Sequence, residues 1–191
     1  MLGKLFVVSA PSGAGKTSLV TAVIEKLTTR YAIKRAVTYT TRAPRHNEVH
    51  GVDYYFITHK EFEQKVAQGF FIESSSAYGV YYGSSRSSIE CIDQGEIIII
   101  IVDIQGAFSI IQHIPQAIPI WIAPSDTTVL AQRLLNRSTE TFDQITVRLL
   151  VGQRELEKEL ENSFFTYHII NDDFETALAD FARVLQIELQ K

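Results

Sequence analysis

Cysteine is almost absent from this chain: Cys91 is its single representative among 191 residues. No disulfide can form within the chain, so the fold must rest on packing, and the usage fits a reducing compartment. We therefore expect a cytoplasmic protein. Long hydrophobic runs are missing as well. The longest, residues 97–102, is six residues of Ile and Val, far short of the roughly 20 that a membrane-spanning helix needs. Neither sign of charge dominates, since 18 Lys and Arg stand against 22 Asp and Glu for a net −4. That balance argues against general binding of nucleic acid or of an anionic membrane surface. The histidines at positions 46, 50, 59, 113 and 168 have no metal-ligand spacing. The short apolar start leads into a glycine-rich turn instead of a cleavage site, so no signal peptide is expected. No stretch is rich enough in Pro or Gly to read as a linker, and one domain is expected.

What is present is a globular composition, 46% hydrophobic and 21% charged, with strands and helices in alternation. Apolar runs at 5–9, 97–102, 118–122 and 167–170 predict core strands. Helical patterns near 16–28, 105–113, 126–136, 143–162 and 173–189 lie between them. Such alternation predicts an α/β fold with a parallel sheet. The isoleucine run is continuous rather than alternating, as in a central strand buried on both faces. Residues 34–84 break the pattern with strands expected at 35–40, 53–57, 70–74 and 81–83. A helix near 59–67 begins with the capping-box signal Thr58-His59-Lys60-Glu61. Basic residues crowd one short segment at its start: Lys34, Arg35, Arg42 and Arg45, with Glu48 as its only acid. A local basic patch on an acidic chain suggests a small anionic ligand.

The string Ala10-Pro11-Ser12-Gly13-Ala14-Gly15-Lys16-Thr17 follows a predicted strand and opens a predicted helix. That is the context of a phosphate-binding loop. Small residues let successive backbone N–H groups turn inward, and the helix dipole adds positive potential. Lys16 supplies a mobile charge for the outer phosphates, and the Thr17 hydroxyl is placed for a magnesium ion. Ser12, Gly13, Ala14, Gly15, Lys16, Thr17 and Ser18 are thus expected to hold a nucleotide. Ala10 stands where the loop consensus has Gly.

Further along, Arg42 and Arg45 flank Pro44, and guanidinium forks of this kind suit phosphate oxygens. Arg133 and Arg137 are four residues apart on one helix face, and Arg148 follows on the next helix. The polar stretch between reads as a closing lid. Several strings then accumulate in order: Ser9 to Lys16; Thr40-Thr41-Arg42-x-Pro44-Arg45; Gly51-x-Asp53-Tyr54; Phe71-Ile72-Glu73; Tyr82-Gly83-Ser84; Asp103-Ile104-Gln105-Gly106-Ala107; and Asn171-Asp172-Asp173. In this order and spacing the chain resembles the guanylate kinase family over nearly its whole length.

The resemblance implies a P-loop three-layer α/β/α domain covering 1–191. Its core would lie at about 1–33, 85–136 and 160–191, with a GMP-binding lobe at about 34–84 and a lid at about 137–148. It implies the reaction ATP + GMP → ADP + GDP, with Mg2+ accompanying ATP. The incoming phosphate has a second pKa of about 6, so no general base is needed, and charge neutralisation carries the chemistry. Arg42, Arg45, Tyr54 and Tyr82 are implied to hold the GMP phosphate. Glu73, Thr38 and Ser84 are implied to read guanine, whose N1–H and 2-amino group offer donors that adenine lacks there. Lys16, Arg45, Arg137 and Arg148 are the implied catalytic set, with Arg133 and Asn171 near ATP. Asp103 could hold the metal or contact the acceptor base.

Some positions depart from the family pattern. Ile101 stands where an acidic residue is usual, Asn47 replaces a usual Gly, and Arg86 replaces a common Lys. Two rival readings are a non-catalytic protein-binding module of the same fold and a P-loop kinase for another phosphate acceptor. Retention of Lys16, Thr17, Arg137 and Arg148 weighs against the first, and Glu73 with Thr38 and Ser84 against the second. No Asn-Lys-x-Asp signature supports a GTPase.

Overall fold

A computed structural model of the chain describes residues 3–77, 79–135, 142–161 and 163–191. Nine strands are β1 (Lys4–Ser9), β2 (Ile33–Arg35), β3 (Thr38–Thr40), β4 (Tyr54–Phe56), β5 (Phe71–Ala77), β6 (Val80–Ser85), β7 (Ile97–Ile101), β8 (Ile118–Ala123) and β9 (Tyr167–Ile170) among the described residues. The helices are α1 (Lys16–Leu27), α2 (His59–Ala67), α3 (Ile104–His113), α4 (Thr127–Leu135), α5 (Phe142–Glu161) and α6 (Phe174–Leu189). A five-stranded sheet runs β2-β7-β1-β8-β9, and a four-stranded sheet runs β4-β3-β6-β5. In the larger sheet β2 pairs parallel with β7 and β8 parallel with β9. The expected α/β architecture is the one that forms.

The chain divides into two compact units, Met1–Val7 with Tyr31–Ala117 and Val8–Arg30 with Ile118–Lys191. In the first unit Ile98, Ile99 and Ile100 of β7 are wholly buried, as the continuous run predicted. In the second, α1 buries Leu19, Val20, Val23 and Leu27, and α6, which packs on it, buries Ala177, Phe181, Ala182, Leu185 and Leu189. Those positions recur at helical spacing, so each helix turns one apolar stripe inward.

Local chemistry sets the helix starts. Thr58 Oγ1 accepts the Glu61 N–H while the Glu61 carboxylate accepts the Thr58 N–H, completing the capping box of α2. Asp103 caps α3 and Asp173 caps α6, each through a carboxylate oxygen accepting an N–H three residues on. Asp126 Oδ1 accepts the Thr128 N–H at the start of α4.

One predicted strand divides. Residues 35–40 were expected to be continuous, but β2 ends at Arg35 and β3 begins at Thr38, in the other sheet. The Ala36 N–H still bonds Ile99 O on β7, after which the chain leaves the larger sheet. Two adjoining β-forming runs look like one strand when only their side chains are read.

Candidate active site

One group of the expected site residues is built on the loop between β1 and α1. Gly13 and Gly15 sit at φ 92° and 86°, the left-handed region, which lets the loop fold its N–H groups inward. Gly15 is also the cap of α1, and a Cβ there would come within 2.7 Å of Asn171 Nδ2. Glycine is therefore needed twice over. Lys16 Nζ donates to Ala10 O at 2.5 Å and Pro11 O at 3.3 Å, which holds its charge at the loop. Thr17 and Ser18 are exposed on the first turn of α1. Arg148 Nη1 on α5 donates to Ser12 Oγ at 3.1 Å, so a residue 136 positions away joins the loop.

Asn171, at the end of β9, is 3% exposed, and its Nδ2 donates to Ala14 O at 2.7 Å. Arg133 Nη2 on α4 donates in turn to Asn171 O at 2.8 Å. Asn171 Oδ1, Arg133 Nη1 and Ser9 Oγ are buried without a partner among the described residues. Buried polar atoms are rarely left so, and three near one loop point to a polar ligand.

A second group of the expected site residues lies on the four-stranded sheet, whose register sets which of them share a face. Thr38 pairs Tyr54, Thr40 pairs Tyr82, and Glu73 pairs Ser84 across β4, β3, β6 and β5. Paired residues share a face, so the polar residues collect on one side. The other side carries Tyr39 stacked on Tyr55, with Phe62 of α2 stacked on Phe71 and Tyr81 at 4.6 and 5.3 Å. One face is thus held by aromatic packing, and the other is left for chemistry.

On that polar face Arg42 sits 5.6 Å from the Tyr54 ring centre, and the Tyr54 and Tyr82 rings lie 6.4 Å apart. Glu48 ties this group together. Its Oε1 accepts from Arg42 Nη2 at 2.8 Å and its Oε2 from the Arg45 backbone N–H at 2.7 Å. Burial works against the Arg42 charge, but Glu48 overcomes it and the guanidinium is held above its usual value. Burial would likewise raise Glu48; its bonds to Arg42 and Arg45 bring it below the carboxylate norm. The Tyr54 hydroxyl is pushed up by burial and by Tyr82, so it remains a donor.

At the far end of the same face Glu73 is 5% exposed. Its Oε1 accepts the Ser84 hydroxyl at 2.5 Å, and its Oε2 has no partner among the described residues. Burial raises its pKa to about 7; the Ser84 bond opposes that and the Asp103 charge adds to it. A buried carboxylate with one oxygen unsatisfied is costly unless a donor arrives. Thr38, also buried, lies on the same face.

The chain can now be set beside known proteins. The guanylate kinase family model matches residues 2–188. The chain belongs to the guanylate kinase family. It is 42% identical to a guanylate kinase of Protochlamydia amoebophila over 99% of this chain and 93% of that protein. It is 40% identical to a guanylate kinase of Vibrio parahaemolyticus over 99% and 90%. The crystal structure of guanylate kinase from Anaplasma phagocytophilum superposes with a TM-score of 0.78 at 27% identity, covering 100% of this chain and 88% of that one.

Within that family membership, the structure groups Lys16, Arg148, Asn171 and Arg133 around the donor loop, and Arg42, Tyr54, Tyr82, Thr38, Ser84 and Glu73 on the acceptor sheet. Arg45 is tied in through Glu48. Asp103 stands beside them as the cap of α3. Arg137 lies outside the described residues. Two polar partners of these residues were not picked out from the sequence: Glu48, which bonds Arg42 and Arg45, and Ser75, whose hydroxyl donates to Asp103 Oδ2. Glu48 was legible as the lone acid amid arginines; Ser75 was legible only through strand alternation, two residues from Glu73.

Proposed function

We propose that this guanylate-kinase-family chain transfers the γ-phosphoryl group of ATP to GMP, giving ADP and GDP. The observation that carries the reading is the buried Glu73, with one oxygen held by Ser84 and the other unsatisfied. It lies on the same sheet face as the arginine and tyrosine cluster. An ionised carboxylate accepts from guanine N1–H and the 2-amino group. Adenine offers no such donor pair, and it would leave a buried charge unpaired. Sites of this type discriminate by roughly ten-thousandfold.

In this reading Arg42 and Arg45 grip the GMP phosphate, held in orientation by Glu48, and Tyr54 and Tyr82 donate hydroxyl hydrogens. The acceptor phosphate is already largely ionised near neutral pH, so the residues align it and neutralise charge without removing a proton. Lys16 leaves its carbonyl partners for the β- and γ-phosphates, while the loop N–H groups hold the rest. Arg148, anchored beside Ser12, and Arg137 neutralise the transferring group; arginines in such transfers are worth about 10³ to 10⁵ in rate. Arg133 and Asn171 border the adenosine end. The domain reading of core, acceptor lobe at about 34–84 and lid at about 137–148 belongs to the same proposal.

Magnesium accompanying ATP would supply charge neutralisation at the phosphate oxygens. The exposed Thr17 hydroxyl on the first turn of α1 fits a direct ligand. Both Asp103 oxygens already accept hydrogen bonds, from the Gly106 N–H and Ser75, which leaves Thr17 as the metal-binding candidate of this reading. Among the described residues no helix is long and apolar enough to cross a membrane, and cytoplasmic residence is part of the same proposal. The deciding experiment measures ADP release with GMP, AMP, UMP and CMP as acceptors. Activity confined to GMP is expected; equal rates across the four would defeat the reading.

A further inference from the structure

Asp103 is gripped from two sides. As the cap of α3, its Oδ1 accepts the Gly106 N–H at 2.7 Å, and its Oδ2 accepts the Ser75 hydroxyl at 2.6 Å. The first bond fixes one oxygen to the helix. The second turns the other toward β5, the strand that carries Glu73. A Cβ added at Gly106 would lie 2.8 Å from Glu73 Oε2 and 3.3 Å from Asp103 Oδ1. The unpartnered Glu73 Oε2 and the cap oxygen of Asp103 thus both lie close to Gly106, with Val102 Cβ 3.1 Å from the same point. Glu73 itself is 5% exposed.

We propose that Ser75 is a positioning residue for acceptor recognition, its hydroxyl holding Asp103 so that Asp103 and Glu73 jointly face the donor edge of guanine. This rests on the reading of Glu73 as the guanine reader. That edge presents N1–H and an exocyclic amine. Glu73 Oε1 shares its lone pairs with Ser84, so Oε2 is the one Glu73 oxygen wholly open to the base. Asp103 Oδ2, which likewise keeps one lone pair beside the Ser75 bond, adds a further acceptor for the second donor. Ser75 pairs with Tyr82 in the register, on the face that also carries the phosphate-binding group. Without its hydroxyl, Asp103 keeps the cap through Oδ1, but Oδ2 loses its fixed direction.

The test uses the full chain with GMP and with inosine monophosphate, whose base lacks the exocyclic amine. In Ser75→Ala the KM for GMP should rise about tenfold, the scale of one hydrogen bond to a charged group. The KM for inosine monophosphate, the KM for ATP and kcat should hold. Ser75→Thr, which keeps the hydroxyl on a strand position, should restore the preference. Removing the Ser75 hydroxyl in an Asp103→Asn background should add nothing, since both act on one contact. Equal losses on both acceptors would mark Ser75 as structural and overturn the proposal, as would an unchanged ratio or additive effects with Asp103→Asn. A native enzyme that fails to prefer GMP over both inosine monophosphate and AMP would remove the Glu73 reading itself, whatever Ser75 does.

Discussion

In the proposed reading the donor loop and the acceptor sheet hold phosphate by different means. The loop spans residues 10–18, and most of the donors that reading assigns to it are backbone N–H groups. The acceptor sheet draws on side chains from residue 38 to residue 103, set on four strands and a helix cap. Backbone donors are common to every residue type, so the loop constrains size and φ more than chemistry, as Gly13 and Gly15 show. Side-chain donors and acceptors are specific, so the acceptor sheet can tell one base from another. The contrast teaches that a general phosphate grip is local, while selectivity needs distant residues brought into register.

If that division holds, the largest effect comes from the one side chain on which the loop does depend. Lys16→Ala should lower kcat/KM by about 10³-fold or more, with both substrates and with little change in the melting temperature. Steady-state kinetics beside a thermal melt decide it; a modest loss would mean that the backbone suffices. On the acceptor side, Glu73→Gln should cost about a hundredfold in kcat/KM for GMP and leave the KM for ATP near its native value. A parallel loss for ATP would erase the distinction between the halves.

The same residue carries a pH signature. Burial holds Glu73 at about 7, above the ordinary 4.5. Between those values the folded chain binds more protons than the unfolded one, so stability falls as pH rises through the window. Denaturant titrations from pH 4.5 to 7 should show a loss of up to about 3 kcal/mol from this group, absent in Glu73→Gln. GMP binding favours the ionised form, so GMP affinity should weaken as pH drops below about 7. The smallest effect lies away from both binding groups. Thr58→Ala removes one side of the α2 capping box and should cost about 1 kcal/mol of stability, while acceptor preference stays. A change in preference would show that α2 does more than cover the aromatic face.

Much of the fold was legible because its signals are local. The isoleucine run, the Thr58–Glu61 box and the helical stripes of α1 and α6 all depend on neighbours within a turn or two. The donor loop was legible for the same reason. Less could be read where distant segments meet. The division between β2 and β3 depends on which sheet each segment joins. The alignment of Glu73 with Ser84 follows a register shift between Phe71 and Glu73 that strand alternation does not announce. The acceptor arginines were found from their spacing, whereas the Glu48 bonds that orient them required the folded loop.

By itself the order of residues determined an α/β chain with a phosphate loop, because helix periodicity, apolar runs and glycine backbone freedom act over short distances. Only the tertiary structure decided that Glu73 would be buried, half satisfied and raised toward neutrality, and that Asp103 would be held by Ser75 beside it. The physical reason is that desolvation and charge proximity depend on what surrounds a group in space, and those neighbours come from segments far apart in the chain.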